Sequence, residues 1–169
     1  ANAFLYQNGN SPWHSDHRVP KMGPMLWEGK YELDSLAWPI HLATRYWAKM
    51  RDASVCTNSN FIAAMNKAIS AIKYQQQPVS QMQQSDDLFY GFGRETQNSI
   101  DTLFGFVGQP GARCGMSRSP FRPSDDSHVL PYPVAANAMA SVVLRDLAKM
   151  MQDPACVNAS GARALASQA

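Results

Sequence analysis

The feature that most limits what this chain can fold into is a long aperiodic stretch set between helical patterns. From Ser85 to Leu130 the sequence turns to Gly, Pro, Ser, Asp and aromatic residues. Ordinary connections run about 4 to 6 residues, so a loop region of about 45 residues calls for a function or for neighbouring structure that holds it. The flanking segments read as helices. From Asp34 to Met50 the apolar residues Leu36, Ile40, Ala43, Trp47 and Met50 recur at three- and four-residue spacing, with Asp34 placed as the cap and a boundary expected near Pro39. A second helix is predicted from an Asn60 cap through Phe61, Met65, Ile69 and Ile72 to about Tyr74, where the Gln-rich run Gln75 to Gln84 ends it. A third is predicted from Pro133, as first helical residue, to Met151, with Ala136, Met139, Val143, Leu147 and Met150 on one side, and Ser160 starts a short last piece. Residues 1–31 carry no sustained period, and no strand signal of comparable strength or internal repeat stands out. The predicted class is all-α. Helices this few could not enclose so long an irregular segment, so neighbouring helices from elsewhere are expected to complete the core.

Composition narrows the partners. With 15 Lys+Arg against 13 Asp+Glu the formal charge is +2, and the basic residues are scattered without a block of like charge. The electrostatic footprint of a nucleic-acid binder is missing. No window approaches the ~20 apolar residues of a membrane span, and Ala1-Asn2-Ala3-Phe4 lacks the charged start and apolar run of a signal peptide. A start without Met fits a mature product and fits a piece of a longer protein equally well. Secretory, periplasmic and cytoplasmic locations all stay open. Cys56, Cys114 and Cys156 lie far apart without Cys-x-x-Cys spacing, which reads first as inert thiols, with one disulfide plus an odd thiol as the alternative. Asn158-Ala159-Ser160 fits a glycosylation sequon, a pattern too short to weigh.

The candidate chemistry is acidic. Only three glutamates occur, Glu28, Glu32 and Glu95. One cluster is Trp27-Glu28-Gly29-Lys30-Tyr31-Glu32-Leu33-Asp34-Ser35, in which Glu28 and Glu32 would share a face if the segment were helical. The other is Phe121-Arg122-Pro123-Ser124-Asp125-Asp126. Two adjacent carboxylates repel, so one tends to keep its proton in a closed site, as a general acid near neutral pH must. Arg122 could orient a carboxylate or a substrate hydroxyl. The plainer readings are a solvated turn or cap at Ser124-Asp125-Asp126 and helix-start charges at Glu32 and Asp34. His14-x-Asp16-His17 offers ligand types but no further partner, so no metal site is proposed; His41, on a helix, reads as structural, and His128 is uninformative except for lying two positions after Asp126. Nucleophile-elbow, phosphate-loop and dinucleotide fingerprints are absent. Of Trp13, Trp27, Trp38, Trp47, Tyr90 and Phe121, those on irregular segments suit stacking on a sugar ring, and the rest suit packing.

The two clusters together resemble glycoside hydrolase family 125, the exo-α-1,6-mannosidases. The likeness rests on Trp27 to Leu36 followed by Tyr46-Trp47, then Gly115-Met116-Ser117 leading into Phe121 to Asp126. Arg94, Thr96, Asp101-Thr102-Leu103, Gly108, Pro110 and Ala136-Asn137-Ala138-Met139 follow the family's order, so the similarity is collinear over about residues 2 to 150. The resemblance implies an (α/α)6 barrel, a toroid of paired helices whose long loops converge on a pocket, of which this chain supplies part. It implies removal of terminal α-1,6-linked mannose from an oligosaccharide or N-glycan with inversion and without metal or other cofactor. That reaction takes a protonated carboxyl at the departing oxygen and a carboxylate about 6.5 to 9.5 Å away that activates water. By the resemblance the acid is Asp126 or Asp125, with Asp126 preferred. Glu32, Asp34, Arg122, Ser124 and Trp27 are the residues for holding mannose.

Departures from the family pattern are Arg118, where many relatives have Trp, and the stretch Ser127 to Val134. The family's upstream Arg-Asp-Ser motif and its downstream glutamate, the base, have no counterpart here. The chain is thus expected to be an acid-bearing section that is inactive by itself, with the missing parts of the barrel supplied by the parent protein. A glycan-binding relative without catalysis and a purely helical scaffold are the competing readings.

Overall fold

Two packed layers, one of helices and one of loops, account for the architecture. The computed structural model describes residues 17–21, 29–157 and 161–169. Helix α1 spans Leu33–Met50, α2 Ser54–Thr57, α3 Ser59–Tyr74, α4 Val134–Gln152 and α5 Ala162–Gln168. Strands β1, His17–Val19, and β2, Gly91–Gly93, pair antiparallel with Arg18 opposite Phe92.

Helix α1 begins one residue earlier than expected. Glu32 stands at its N-cap, and Asp34 lies in the first turn, where a carboxylate favours the helix dipole instead of capping it. No boundary forms at Pro39, which sits inside the helix. Losing a hydrogen bond there costs ~3 kcal/mol, and Leu33, Ala37 and Ile40, all fully buried on both sides of the proline, hold the helix through it. Helix α3 is capped by Asn58, not Asn60: its side-chain oxygen accepts from the N–H groups of Asn60 and Phe61 at 2.9 and 3.1 Å. Pro133 is the N-cap of α4 and not its first helical residue.

The main core joins Ala37 and Ile40 of α1, Ile62, Met65 and Ile69 of α3, Val143, Leu147, Met150 and Met151 of α4, and Leu165 of α5. Cys56 and Cys156 lie in this core and form a disulfide. The reading of the cysteines as inert thiols is therefore corrected: 100 residues separate the pair in sequence, but α2 and the segment after α4 flank one core, which spacing alone does not reveal. Cys114 is free and exposed.

The loop stretch has its own interior. Tyr31, Tyr90, Phe92, Leu103 and Phe121 form a second buried cluster, with Phe92 edge-on to Phe121 at 5.1 Å between ring centres. Gly91 lies so close to the Phe106 ring that a Cβ would overlap it, so only glycine passes there. The two strands are a minor addition to a helix-rich chain, in keeping with the expected class. Each has three residues, too short to show a period of two. On the outer side of α1 an apolar stripe, Trp38, Leu42, Tyr46 and Met50, is exposed, with Leu42 at 71%.

Closing a loop of about 100 residues restricts the unfolded chain strongly, and loss of such a bridge typically costs about 2–5 kcal/mol. Digestion without reductant should therefore yield a Cys56–Cys156 linked peptide and an alkylated Cys114. Cys56→Ser should lower the calorimetric midpoint by about 10 °C.

Candidate active site

The site is built where an extended segment enters α1. Tyr90 Oη accepts from the Tyr31 N–H at 3.0 Å and donates to the Gly29 carbonyl at 2.8 Å, which fixes residues 29–31 against the loop layer. Residues 29–32 are not helical, and Glu28 lies outside the described residues. Next, the Phe121 N–H donates to the Tyr31 carbonyl at 3.2 Å, and the Leu33 N–H donates to Ser119 Oγ at 2.9 Å. Ser119 Oγ in turn donates to the Phe121 carbonyl at 2.7 Å. The two acidic clusters are thus joined through backbone, a link invisible in their separation along the chain.

The second cluster is a tight reversal. Phe121 bridges Ser127, the Arg122 N–H donates to the Asp126 carbonyl at 2.8 Å, and the Asp125 N–H donates to the Arg122 carbonyl at 2.9 Å. Asp125 has a φ of 66°, left-handed backbone in which aspartate is tolerated better than most residues. The Ser127 N–H donates to the Ile100 carbonyl at 2.7 Å and the His128 N–H to that of Pro120 at 2.9 Å. The far side of the turn is anchored as well.

Within this frame the carboxyl groups that meet are Glu32 and Asp125. Glu32 is 2% exposed. Burial pushes its carboxyl up to about 7. Its side-chain contact with Asp125 and the charges of Asp125 and Asp34 act in the same direction, while a hydrogen bond from Ser35 Oγ opposes them. That bond reaches Glu32 Oε2 at 2.6 Å. Asp126 is half-buried and accepts at Oδ2 from Ser124 Oγ at 3.0 Å. The repulsion anticipated between sequence neighbours thus acts across the site, between Glu32 and Asp125. Asp34 Oδ1 and His128 Nε2 are buried without a hydrogen-bond partner among the described residues, and buried polar atoms are normally satisfied. Burial holds the His128 imidazole below its ordinary value, helped by the Arg122 charge and opposed by Asp34. Arg122 itself is exposed.

Glu32, Asp34, Asp125, Asp126, Ser124 and Arg122 are accordingly brought to one place. Trp27, Glu28, Trp13, His14 and Asp16 lie outside the described residues. Tyr90 and Phe121 are core residues, not platforms for a sugar. Arg118 is 1% exposed and donates to the Val107 carbonyl at 2.7 Å, a strut beneath the loops. His128, read from sequence as uninformative, lies within electrostatic reach of Asp34 and Arg122, and its place two residues after Asp126 was the one signal available. Among the described residues no group of three or more His, Cys, Asp or Glu is placed to share a cation.

Known proteins share the sequence and the fold of this chain. The chain is 37% identical over 153 residues to the Meiotically up-regulated gene 157 protein of Schizosaccharomyces pombe (strain 972 / ATCC 24843), a match covering 87% of this chain and 30% of that protein. Its structure resembles that of a Streptococcus pneumoniae protein from a family of metal-independent alpha mannosidases, solved as a non-productive substrate complex with alpha-1,6-mannobiose. The TM-score is 0.79 at 29% identity, covering 97% of this chain and 37% of the other. The chain thus spans about a third of the length of these relatives. The family described as metal-independent alpha-mannosidase matches residues 1–169, the whole chain. With that match joined to the two acidic motifs meeting at the start of α1, the chain belongs to glycoside hydrolase family 125.

Proposed function

We propose that this segment carries the proton donor of an inverting exo-α-1,6-mannosidase whose catalytic domain is an (α/α)6 barrel. The observation that supports the reading most is the backbone junction that sets the Asp125-Asp126 turn against Glu32 and Asp34. The mannobiose bound to the Streptococcus pneumoniae relative favours the same linkage. The exposed stripe of α1 fits a helix that packs on further helices of a larger domain.

The chemistry divides among the carboxyls by distance. Glu32 and Asp125 touch through their side chains, whereas the acid and base of an inverting glycosidase stand about 6.5 to 9.5 Å apart to admit water. Glu32 is therefore not the base for Asp125, and by the family resemblance the water-activating carboxylate is the downstream glutamate that has no counterpart in this chain. Asp125 is occupied by Glu32, and Ser124 takes only Oδ2 of Asp126. Asp126 is accordingly the preferred donor, giving its proton to the departing glycosidic oxygen as the bond to the anomeric carbon breaks. Asp34, whose Oδ1 is buried without a partner among the described residues, and Arg122, which is exposed, are assigned to mannose hydroxyls in the terminal subsite. Ser124 orients Asp126, and Glu32 supports Asp125.

In the full-length natural chain, Asp126→Asn should reduce mannose release from α-1,6-mannobiose by about 10²-fold or more while leaving binding of the disaccharide within a few-fold. Calorimetric titration alongside a product assay checks both. Undiminished turnover in Asp126→Asn and in Asp125→Asn alike would remove the donor from the doublet, and binding without turnover in the wild type would favour a glycan-binding relative.

A further inference from the structure

Lys30 is among the most completely buried side chains of the chain, 2% exposed, although lysine is ordinarily a surface residue. Its Nζ donates to the Asp125 carbonyl at 2.7 Å across 95 residues of sequence. The same ammonium is 3.6 Å from Asp101 Oδ1 and 5.2 Å from the centre of the Phe121 ring. Asp101 closes the short 3-10 turn Ser99–Asp101, whose Ile100 carbonyl receives the Ser127 N–H. One cation therefore reaches the middle of the acidic turn, the ring at its start and the turn that anchors its end.

The acceptor matters more than the burial. The Asp125 carbonyl belongs to the peptide plane that joins Asp125 to Asp126, so fixing that oxygen fixes the direction in which Asp126 leaves the backbone. Asp125 is in left-handed backbone, a conformation that the surroundings must hold. The Asp125 N–H to Arg122 carbonyl bond secures one side of that residue, and Lys30 secures the other. A neutral donor could supply the bond, but only a cation also meets the titratable groups that face the turn, the carboxyls of Asp101, Glu32, Asp34 and Asp125 together with Arg122 and His128.

We propose that Lys30 is a positioning residue for the proton donor: it clamps the peptide between Asp125 and Asp126 and sets the electrostatic potential at the doublet. The proposal rests on the mannosidase reading for its kinetic consequence and on geometry alone for the clamp. Lys30→Met, which keeps the length of the side chain but removes both donor and charge, should lower kcat of the full-length protein about a hundredfold with KM little changed. The donor must be protonated, so activity falls on the alkaline side as it ionises. Without the nearby cation the donor holds its proton more tightly, and the alkaline limb of kcat/KM should move up by about half a pH unit or more. Lys30→Arg keeps cation and donor, and should hold the limb at its wild-type position with kcat reduced less than in the methionine variant.

Carboxyl-carbon NMR titration of the same proteins reads the doublet without any turnover, and should show the same upward movement in the methionine variant only. A folded Lys30→Met that keeps its kcat and its alkaline limb overturns the proposal. So does a Lys30→Arg whose limb moves off the wild-type position. Should the methionine variant fail to fold, the arginine variant and its titration decide alone. Failure of the wild type to release mannose would instead strike the functional reading, and the titration would still test the clamp.

Discussion

A carboxyl taken out of water beside a second carboxyl is costly, and such an arrangement persists only where the surrounding backbone leaves no alternative. Glu32 is held that way. Its neighbours Tyr31 and Leu33 are fastened to Phe121 and Ser119 on one side, Tyr90 fastens the preceding residues, and Leu33 is already part of α1. The Glu32 side chain is thereby directed against Asp125, with Ser35 and Asp34 beside it. Strain of this kind is typical of sites evolved for chemistry rather than for stability.

The helical layer and the loop layer divide the work. Helices α1, α3 and α4, with the disulfide joining α2 to the segment after α4, provide the rigid base from which α1 presents its N-terminus. Ser117 couples the layers: its N–H donates to Asn137 Oδ1 on α4 at 2.8 Å, and its Oγ donates to the Ile72 carbonyl on α3 at 3.0 Å. The loops are held by an aromatic cluster of their own. A region that composition alone marks as irregular is thus a packed structure, and its packing sets the acidic turn in place.

What could be read from the sequence followed physical range. The helices were legible because Ile40, Met65, Ile69, Val143 and Leu147 repeat on a local period that burial then uses. Their starts were displaced by a residue or two, since Asn58 and Asn60 are equally good caps on paper and only the direction of the chain chooses between them. The acidic residues were legible as motifs, and Asp34, Glu32, Asp125, Asp126, Ser124 and Arg122 do converge. What stayed hidden was every pairing made over long separation. The Cys56–Cys156 bridge, the contact of Glu32 with Asp125 and the reach of Lys30 to the Asp125 carbonyl have no periodic trace. The short strands were hidden for the opposite reason, being too brief to repeat.

The burial of the Glu32 carboxyl beside Asp125 is the claim on which the rest stands, and the pH dependence of stability tests it most directly. Glu32 ionises near its ordinary value of 4.5 when unfolded but at about 7 when folded. Between those values the native state holds a proton that the unfolded chain has lost, so this carboxyl's contribution is fully present below pH 4.5 and is lost as pH rises through 7. Denaturant unfolding of wild type and Glu32→Gln across that window should show the wild type losing on the order of 2 kcal/mol relative to the glutamine variant. Two curves that run parallel from acid to neutral pH would contradict it.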